Sequence, residues 1–305
     1  MSSARHANFN RAVVLSLLMV MMTQVGYLES MNPWTSGEET LDETNDVLET
    51  GGSTFAYANN KLSAGFFHTC AILDNGDLKC WARDYNGQLG DGGSNTDTNA
   101  PSSTAINLGT GRTAVAVSGG EYHTCATLDN GDLKCWGRDS EGQLGDGGSN
   151  TDTNAPSSTA IDLGTGRTAD AVSVGAYHTC VILDNGEAKC CGWNNFGQVG
   201  DGANTDTNAP SSTAIDLGTG RTAVAVDAGN MHTCAILDNG DLKCWGQDNY
   251  GQLGDGGSTT DTNAPSSTAI NLGTGRTAVA VSGGEYHTCA TLDNGDLKCC
   301  GRDSE

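Results

Sequence analysis

The sequence contains little positive charge. Lysine and arginine number 15 against 37 aspartates and glutamates, which gives a formal net charge of −22. A surface this acidic repels phosphate backbones, so we expect no nucleic-acid partner. Proline is scarce, with 5 residues, whereas glycine occurs 43 times. Abundant glycine between short apolar runs predicts an all-β chain with many turns.

The motifs of common catalytic sites are also missing. The chain has no G-x-S-x-G elbow, no phosphate-binding Gly-Lys motif and no H-E-x-x-H. Its repeated cysteines and histidines fall inside predicted strands, where they are poorly placed to attack a substrate. We therefore expect that the protein is not an enzyme and has no cofactor.

Only one apolar run is long, and it lies near the N-terminus. Residues 12–28 follow two arginines, which is typical of a secretory signal, but no A-x-A-like cleavage site comes after them. The run is also close to the shortest membrane span. We predict a signal peptide or membrane anchor over 1–28, an acidic linker over 29–53 and a repeat region over 54–305. Export to the medium or the cell surface follows, with membrane contact only through the N-terminal segment if it is uncleaved.

The rest of the chain repeats with a period close to 55 residues. The triplet His-Thr-Cys begins at positions 68, 123, 178, 232 and 287. A period of this length predicts propeller blades, because each unit needs neighbours to bury its faces. Both faces of the repeated hairpin carry apolar residues, as expected of a sheet between similar sheets. A parallel β-helix is the competing fold, but its coils are much shorter.

Each repeat contains two short strands joined by an Asn-Gly turn, as in HTCAILDNGDLKCW at 68–81. A two-residue loop would place Asp74 opposite Asp77, which is unfavourable for like charges. A three-residue loop with Gly76 in the left-handed conformation instead pairs Leu73 with Asp77. We predict the second register.

This register makes the two cysteines of each hairpin direct cross-strand neighbours. In a non-hydrogen-bonded pair their α-carbons lie roughly 4.5–5.5 Å apart, within disulfide reach. Such bonds persist in oxidising compartments, which agrees with export. The predicted disulfides are Cys70–Cys80, Cys125–Cys135, Cys180–Cys190, Cys234–Cys244 and Cys289–Cys299.

The string AVAVSGGEYHTCATLDNGDLKCWGRDSEGQLGDGG at 114–148 resembles the regulator of chromosome condensation repeat, with its G-x-x-H-[ST], W-G and G-Q-L-G-x-G blocks in order. The resemblance covers roughly 54–305 and implies a β-propeller of four-stranded antiparallel blades, about seven in a complete ring. The chain carries five hairpins, so we expect about five blades or part-blades of an incomplete propeller. The family implies protein binding more than any one activity.

Two departures from the repeat leave cysteines without an obvious partner. Cys191 and Cys300 replace the tryptophan of the W-G block, and they are predicted to be free thiols or intermolecular bridges. A zinc cluster of His68 with Cys70 and Cys80 is the alternative to a disulfide. The spacing lacks a C-x-x-C element, so we predict no metal site there. The Asp-rich loops, such as 145–156, lack an EF-hand pattern, and calcium binding stays an open alternative.

The copies differ mainly before the histidine and after the W-G block. Aromatic residues are frequent at these positions, which suits recognition of a protein or a glycan by loops. Equally, these rings could pack beneath the loops as part of the core. The predicted binding residues are Phe66, Phe67, Tyr85, Tyr122, Tyr177, Trp193, Phe196, Met231 and Tyr250.

These observations predict a secreted or cell-surface scaffold that binds a protein or glycan without catalysis. One alternative is a guanine-nucleotide exchange factor for a small GTPase, as in one branch of the family. The paired cysteines, the N-terminal apolar run and the lack of a basic tail count against it. A further alternative is a calcium- or zinc-dependent adhesive repeat protein.

Overall fold

The computed structural model describes residues 61–257 and 259–302. Every helix or strand assigned in these ranges is a β-strand. The predictions for 1–28 and 29–53 lie outside the described residues. Within the described part of the chain, no helix is long and apolar enough to cross a membrane.

The strands form antiparallel sheets of three consecutive strands each, which we number sheets 1 to 5 in chain order. The described strands are β1 Leu62–Ala64, β2 His68–Ile72 and β3 Leu78–Ala82 in sheet 1; β4 Ala114–Gly119, β5 His123–Leu128 and β6 Leu133–Gly137 in sheet 2; β7 Ala169–Val174, β8 His178–Leu183 and β9 Ala188–Gly192 in sheet 3; β10 Ala223–Ala228, β11 His232–Leu237 and β12 Leu242–Gly246 in sheet 4; and β13 Ala278–Gly283, β14 His287–Leu292 and β15 Leu297–Gly301 in sheet 5.

The all-β prediction is confirmed, but each sheet has three strands where four were expected. In sheets 1 to 4 the chain after the third strand makes one isolated bridge back to it. In sheet 2 this bridge joins Gly137 and Thr153, with N–O distances of 2.8 Å in both directions. The surrounding residues 145–156 are mostly turn formers and include a proline, so they do not extend the pairing. The prediction of a fourth strand was wrong for this reason.

The hairpins adopt the predicted register. The Leu73 N–H donates to the Asp77 carbonyl at 2.8 Å, and Gly76 has a φ of 81°. Cys70 and Cys80 are therefore opposite each other, with α-carbons 4.0 Å apart and a disulfide between them. The same disulfide forms in the other four hairpins, at Cys125–Cys135, Cys180–Cys190, Cys234–Cys244 and Cys289–Cys299.

The core lies between consecutive sheets. In the first interface, the cystine, Ile72 and Leu78 of sheet 1 pack with Val117 and Leu128 of sheet 2. Full burial of one such aliphatic side chain stabilises the fold by about 1.5–3 kcal/mol. A sheet therefore depends on its neighbour for most of its hydrophobic stabilisation.

The outer face of sheet 5 shows what this packing does. Leu297 is 66% exposed there, whereas Leu133, its equivalent in sheet 2, is 1% exposed. Sheet 3 covers Leu133, and no sheet of the described residues covers Leu297. Leucine at this repeat position is buried only when another repeat packs against it.

A buried polar contact also joins each sheet to the next, and we call it the junction. Between sheets 2 and 3, Thr179 Oγ1 donates to the main-chain carbonyl of Gln143 at 2.8 Å and lies 3.0 Å from His123 Nε2. Because the threonine hydroxyl has one hydrogen and gives it to Gln143, His123 must donate from Nε2. Its Nδ1 is buried without a partner and burial lowers the pKa of the ring to about 3, so the imidazole is neutral and carries its proton on Nε2.

The junction recurs at every interface between consecutive described sheets. In each case a histidine contacts the threonine of the next sheet, which donates to a glutamine carbonyl in the G-Q-[LV]-G loop. The other three sets are His68–Thr124–Gln88, His178–Thr233–Gln198 and His232–Thr288–Gln252.

Tryptophan strengthens two of these junctions. The indole Nε1 of Trp136 donates to the Gln88 carbonyl at 3.0 Å, and Trp245 does the same to Gln198. A Cβ on Gly90 would lie 2.3 Å from Trp136 Nε1, and Gly90 has a φ of +70°, so only glycine fits there.

In sheets 3 and 5 a cysteine replaces this tryptophan, and both cysteines are free thiols. Cys300 Sγ donates to the Gln252 carbonyl at 3.5 Å, in the manner of the indole. Cys191 is fully buried, and burial raises the pKa of its thiol to about 12. A thiol held neutral in this way is a packing residue rather than a nucleophile.

We predict that Thr179→Val destabilises the protein by about 2 kcal/mol. The substitution keeps the volume but leaves the Gln143 carbonyl and His123 Nε2 without their partner, which costs about 1–3 kcal/mol. Thr127→Val is the matched control, because Thr127 is also fully buried but its hydroxyl has no hydrogen-bond partner. Urea unfolding should give an unchanged or higher midpoint for the control. Equal losses in the two variants would contradict the role of the junction.

We also predict a loss of stability in mild acid. Burial lowers the pKa of His123 and His178 to about 3, so these rings stay neutral in the folded state when the unfolded chain takes up protons below about pH 6.5. Each ring then removes about 2 kcal/mol of stability between pH 8 and pH 5. Burial raises the pKa of Asp139 and Asp227 to about 6, which offsets part of this loss below pH 6. Urea midpoints at pH 8, 6.5 and 5 should fall in that order, and a flat profile would contradict the assignment.

Candidate binding face

The predicted binding residues lie at one end of the sheets because the backbone joins the two variable segments of each repeat. In sheet 2 the N–H of Arg138 donates to the carbonyl of Tyr122 at 2.9 Å. In sheet 3 the N–H of Trp193 donates to the carbonyl of Tyr177 at 2.8 Å. The residue before each histidine and the residue after each third strand are therefore neighbours on the same face.

The aromatic side chains on this face form a continuous series of ring contacts across sheets 1 to 3, which we call the aromatic row. Successive ring centroids lie 5.4–6.4 Å apart, with both stacked and edge-on geometry. The order of the rings is Phe66, Phe67, Tyr122, Tyr177, Trp193 and Phe196.

Two arginines lie over the rings of the aromatic row. The guanidinium of Arg83 is 4.7 Å from the ring centroid of Phe67, and that of Arg138 is 5.2 Å from the ring centroid of Tyr177. Both also lie within 6 Å of the Tyr122 ring. These are cation–π distances, and they hold rings of adjacent sheets together. Sequence analysis missed the arginines, although RD follows the third strand in three of the five repeats.

Glu121 adds a carboxylate beside the row. The pKa of Tyr177 is raised by partial burial and by the nearby charge of Glu121. Tyr122 has a raised pKa for the same reasons, and the charges of Arg83 and Arg138 oppose the increase. Both phenols are therefore neutral donors at physiological pH, next to an anion that accepts hydrogen bonds.

A second aromatic pair lies on the same kind of loop in sheets 4 and 5. The rings of Tyr250 and Tyr286 are 4.8 Å apart, with the Arg302 guanidinium 5.1 Å from the Tyr250 centroid. Tyr286 was not among the predicted binding residues, although it occupies the same repeat position as Tyr122. That equivalence was the signal that could have found it.

A concavity of about 400 Å³ lies between the two groups of aromatic residues. Its walls include Tyr177 and Trp193 from the aromatic row, Met231 and Tyr286. Phe66 from sheet 1 and Glu285 from sheet 5 also line it. Five of the nine predicted binding residues therefore line one depression, namely Phe66, Tyr177, Trp193, Phe196 and Met231.

The exposure of the rings differs along the face. Tyr85, Phe66 and Tyr250 are 73%, 55% and 43% exposed, whereas Tyr122, Tyr177, Trp193, Phe196 and Met231 are half-buried. Tyr85 makes no ring contact with the other aromatic residues in the part of the chain that the structure describes. The half-buried rings are packed against neighbouring residues, whereas the exposed rings are open to solvent.

The groups that zinc would require are already engaged. His68 Nε2 bonds to Thr124, and Cys70 and Cys80 share a disulfide. Within 61–257 and 259–302, no three histidine, cysteine, aspartate or glutamate side chains converge as a zinc site would need.

Comparison with known proteins gives the family. Two profiles, both described as the regulator of chromosome condensation (RCC1) repeat, match the chain. One matches residues 130–182, 185–236 and 239–291, and the other matches residues 60–88, 114–143, 169–198, 223–252 and 278–305.

Curated relatives share this repeat region. The ultraviolet-B receptor UVR8 of Arabidopsis thaliana is 28% identical over 242 residues, which cover 79% of this chain and 52% of the receptor. The E3 ubiquitin-protein ligase HERC2 of Homo sapiens is 29% identical over 225 residues, which cover 73% of this chain and 4% of the ligase. The chain thus spans about half of the plant receptor and a small part of the ligase.

Solved structures agree on the fold. Human WBSCR16 superposes with a TM-score of 0.70 at 21% identity, covering 80% of this chain and 63% of that one. Yeast RCC1 (Prp20), solved bound to Kap60, superposes with a TM-score of 0.65 at 20% identity, covering 79% of this chain and 55% of that one. The β-propeller prediction is confirmed, and the chain belongs to the regulator of chromosome condensation repeat family.

Proposed function

We propose that this chain is an exported, non-catalytic scaffold that binds a protein partner through the aromatic row and the adjoining concavity. The observation that carries the proposal is the alternation of aromatic rings and arginines across sheets 1 to 3. Tyrosine, tryptophan, phenylalanine, methionine and arginine are the residues enriched in protein interfaces and their hot spots.

The arrangement favours a protein over a glycan. A sugar ring stacks on an open aromatic face, but Arg83 and Arg138 already cover the faces of Phe67 and Tyr177. The guanidinium edges and the Glu121 carboxylate point instead to a partner that offers both hydrogen bonds and apolar side chains. The half-buried rings are also pre-ordered, which lowers the entropy cost of binding.

Export is supported by the cysteines and the N-terminal apolar run. Short-range disulfides in every described hairpin are stable in an oxidising compartment and rare in the cytosol. The net charge of −22 keeps such a protein soluble outside the cell.

The activities of the relatives do not transfer directly, because the chain spans only part of them. Yeast Prp20 was solved bound to Kap60, and a second yeast structure was described together with its binding to Gsp1p and histones. These partners belong to those proteins. The acidic net charge of this chain would attract a basic partner such as a histone, yet no contact among the described residues is specific for one.

We predict that Tyr122→Ala combined with Trp193→Ala weakens partner binding by at least about 30-fold. Truncating central aromatic anchors costs 2 kcal/mol or more in protein interfaces, and this energy corresponds to that factor. The partner would be cross-linked from secreted and cell-surface proteins, identified by mass spectrometry, purified and titrated against both forms by biolayer interferometry.

Val115→Ser is the control variant for this experiment. Val115 is 43% exposed, like Tyr250, but it lies near the start of strand β4, whereas Tyr122 comes just after the end of that strand. We expect its affinity to equal that of the original chain. Equal affinity of the aromatic double variant would contradict the proposed face. Binding only to a glycan array, or stimulated nucleotide release from a small GTPase, would replace the proposed function by the corresponding alternative.

A further inference from the structure

One buried position differs in chemical character between the repeats. The second residue after the third strand is aspartate in sheets 1, 2 and 4, where Asp84, Asp139 and Asp248 are each 1% exposed. In sheet 3 the same position is Asn194, which is fully buried. The side chains have the same shape, but one terminal group is an oxygen in sheets 1, 2 and 4 and an NH₂ group in sheet 3.

The other terminal atom makes the same bond in all four sheets. Asp139 Oδ1 accepts from the Leu144 N–H at 2.9 Å, and Asn194 Oδ1 accepts from the Val199 N–H at 2.9 Å. Asp84 and Asp248 accept equivalent bonds at 2.9 Å. The second terminal atom is therefore held in the same direction, towards the loop that follows.

In sheet 3 this direction leads to a group of oxygen atoms. Asn194 Nδ2 lies 3.2 Å from Asp201 Oδ1, 3.1 Å from the Ala203 carbonyl and 3.2 Å from the Thr205 carbonyl. The amide donates towards all three. The partial positive charge of the NH₂ group offsets the negative charge on these three oxygens.

In sheet 2 the aspartate places an oxygen where Asn194 has its NH₂ group. Asp139 Oδ2 is buried without a hydrogen-bond partner. Asp152 Oδ1 accepts from the Asp139 N–H at 2.9 Å, so a second carboxylate is close by. Burial and the nearby charges of Asp146 and Asp152 together raise the pKa of Asp139 to about 6, against the opposing effect of the N–H groups of Leu144 and Thr151.

No cationic side chain within the described residues forms an ion pair with these carboxylates. The ion pairs between described residues join Arg112 to Asp129 and the equivalent residues of the next three repeats, in a different loop. Arg138, which is next to Asp139, instead donates to Ser140 and lies over tyrosine rings. A buried carboxylate beside two others is costly unless a cation or a proton joins it.

We propose that Asp139 Oδ2, the Asp146 carboxylate and main-chain carbonyls of the following loop bind a calcium ion. The sets Asp84 with Asp91 and Asp248 with Asp255 form the equivalent sites in sheets 1 and 4. Calcium accepts a mixture of carboxylates, carbonyls and waters in an irregular shell. The shell needs only two acidic side chains, because carbonyls and water supply its other oxygens. Asn194 replaces the ion in sheet 3 with its own NH₂ group.

Such a site would be weak. Two carboxylates with carbonyls and water resemble extracellular calcium modules, whose dissociation constants are about 10⁻⁴–10⁻³ M. A site of this affinity is filled only where calcium is plentiful. It would fix the loop after the third strand, and it is independent of whether the aromatic row binds a partner.

The test is calcium titration of the full chain at pH 7.4 by isothermal calorimetry and by urea unfolding. We compare the original sequence with the triple variant Asp84→Asn, Asp139→Asn and Asp248→Asn, and with Asn194→Asp. The triple variant copies the amide that already stands in sheet 3, so we expect it to fold. Each single aspartate variant supplies the same comparison if the triple variant does not. Magnesium and sodium chloride at equal ionic strength serve as controls for general screening of the negative charge.

We expect up to three calcium ions bound to the original chain, none of them in the triple variant, and one more in Asn194→Asp. At about 10 mM calcium, each site with a dissociation constant near 0.5 mM should shift the unfolding equilibrium about 20-fold towards the folded state. Without calcium, the triple variant should be at least as stable as the original chain. An equal response of the original and triple-variant chains, or no binding heat at 10 mM calcium, would overturn the proposal.

Discussion

The main-chain carbonyl of the glutamine in each G-Q-[LV]-G loop is the point on which the propeller depends. It accepts a hydrogen bond from the threonine hydroxyl of the next sheet, and that threonine in turn accepts one from the histidine of the preceding sheet. The carbonyls of Gln88 and Gln198, which follow sheets 1 and 3, also accept an indole N–H from Trp136 and Trp245 of the next sheet. Apolar packing supplies most of the free energy between sheets, but it does not fix their relative position. The directional bonds at this carbonyl do, and the threonine bond forms with or without an indole bond beside it.

The binding face takes its order from the same contact. Tyr122 directly precedes His123, and Arg138 directly follows the strand that pairs with it. When the junction sets the position of His123 against Thr179, it also sets the distance between the Tyr122 and Tyr177 rings. The rings differ in identity between repeats, whereas the histidine, threonine and glutamine do not. A constant frame therefore carries variable side chains, which is an arrangement suited to recognition.

Much of this could be predicted from the sequence because the repeat is strict. The Asn-Gly turn, the charge of Asp74 and Asp77 and the ten-residue cysteine spacing were enough to select the register of every hairpin. Contacts between repeats were not predictable in the same way. Nothing within one copy shows that Arg138 lies between the rings of Tyr122 and Tyr177, or that His123 bonds to Thr179 56 residues away. The turn-forming residues of 145–156 already indicated that no fourth strand forms, but the prediction of four strands followed the family pattern instead. The sequence shows that Asp139 is replaced by Asn194 in the next repeat, but the consequence of this difference depends on the oxygens around Asn194, which only the structure locates.

The most direct measurement of the junction is a long-range ¹H–¹⁵N NMR correlation spectrum of the histidine rings at pH 7 and pH 5. Because each junction threonine gives its hydrogen to a glutamine carbonyl, His68, His123, His178 and His232 must each carry their proton on Nε2. The account predicts four neutral rings with protonated Nε2 and unprotonated Nδ1, unchanged in the folded protein between the two pH values. Rings protonated on Nδ1, or rings that take up a second proton with a pKa near 6.5, would contradict it.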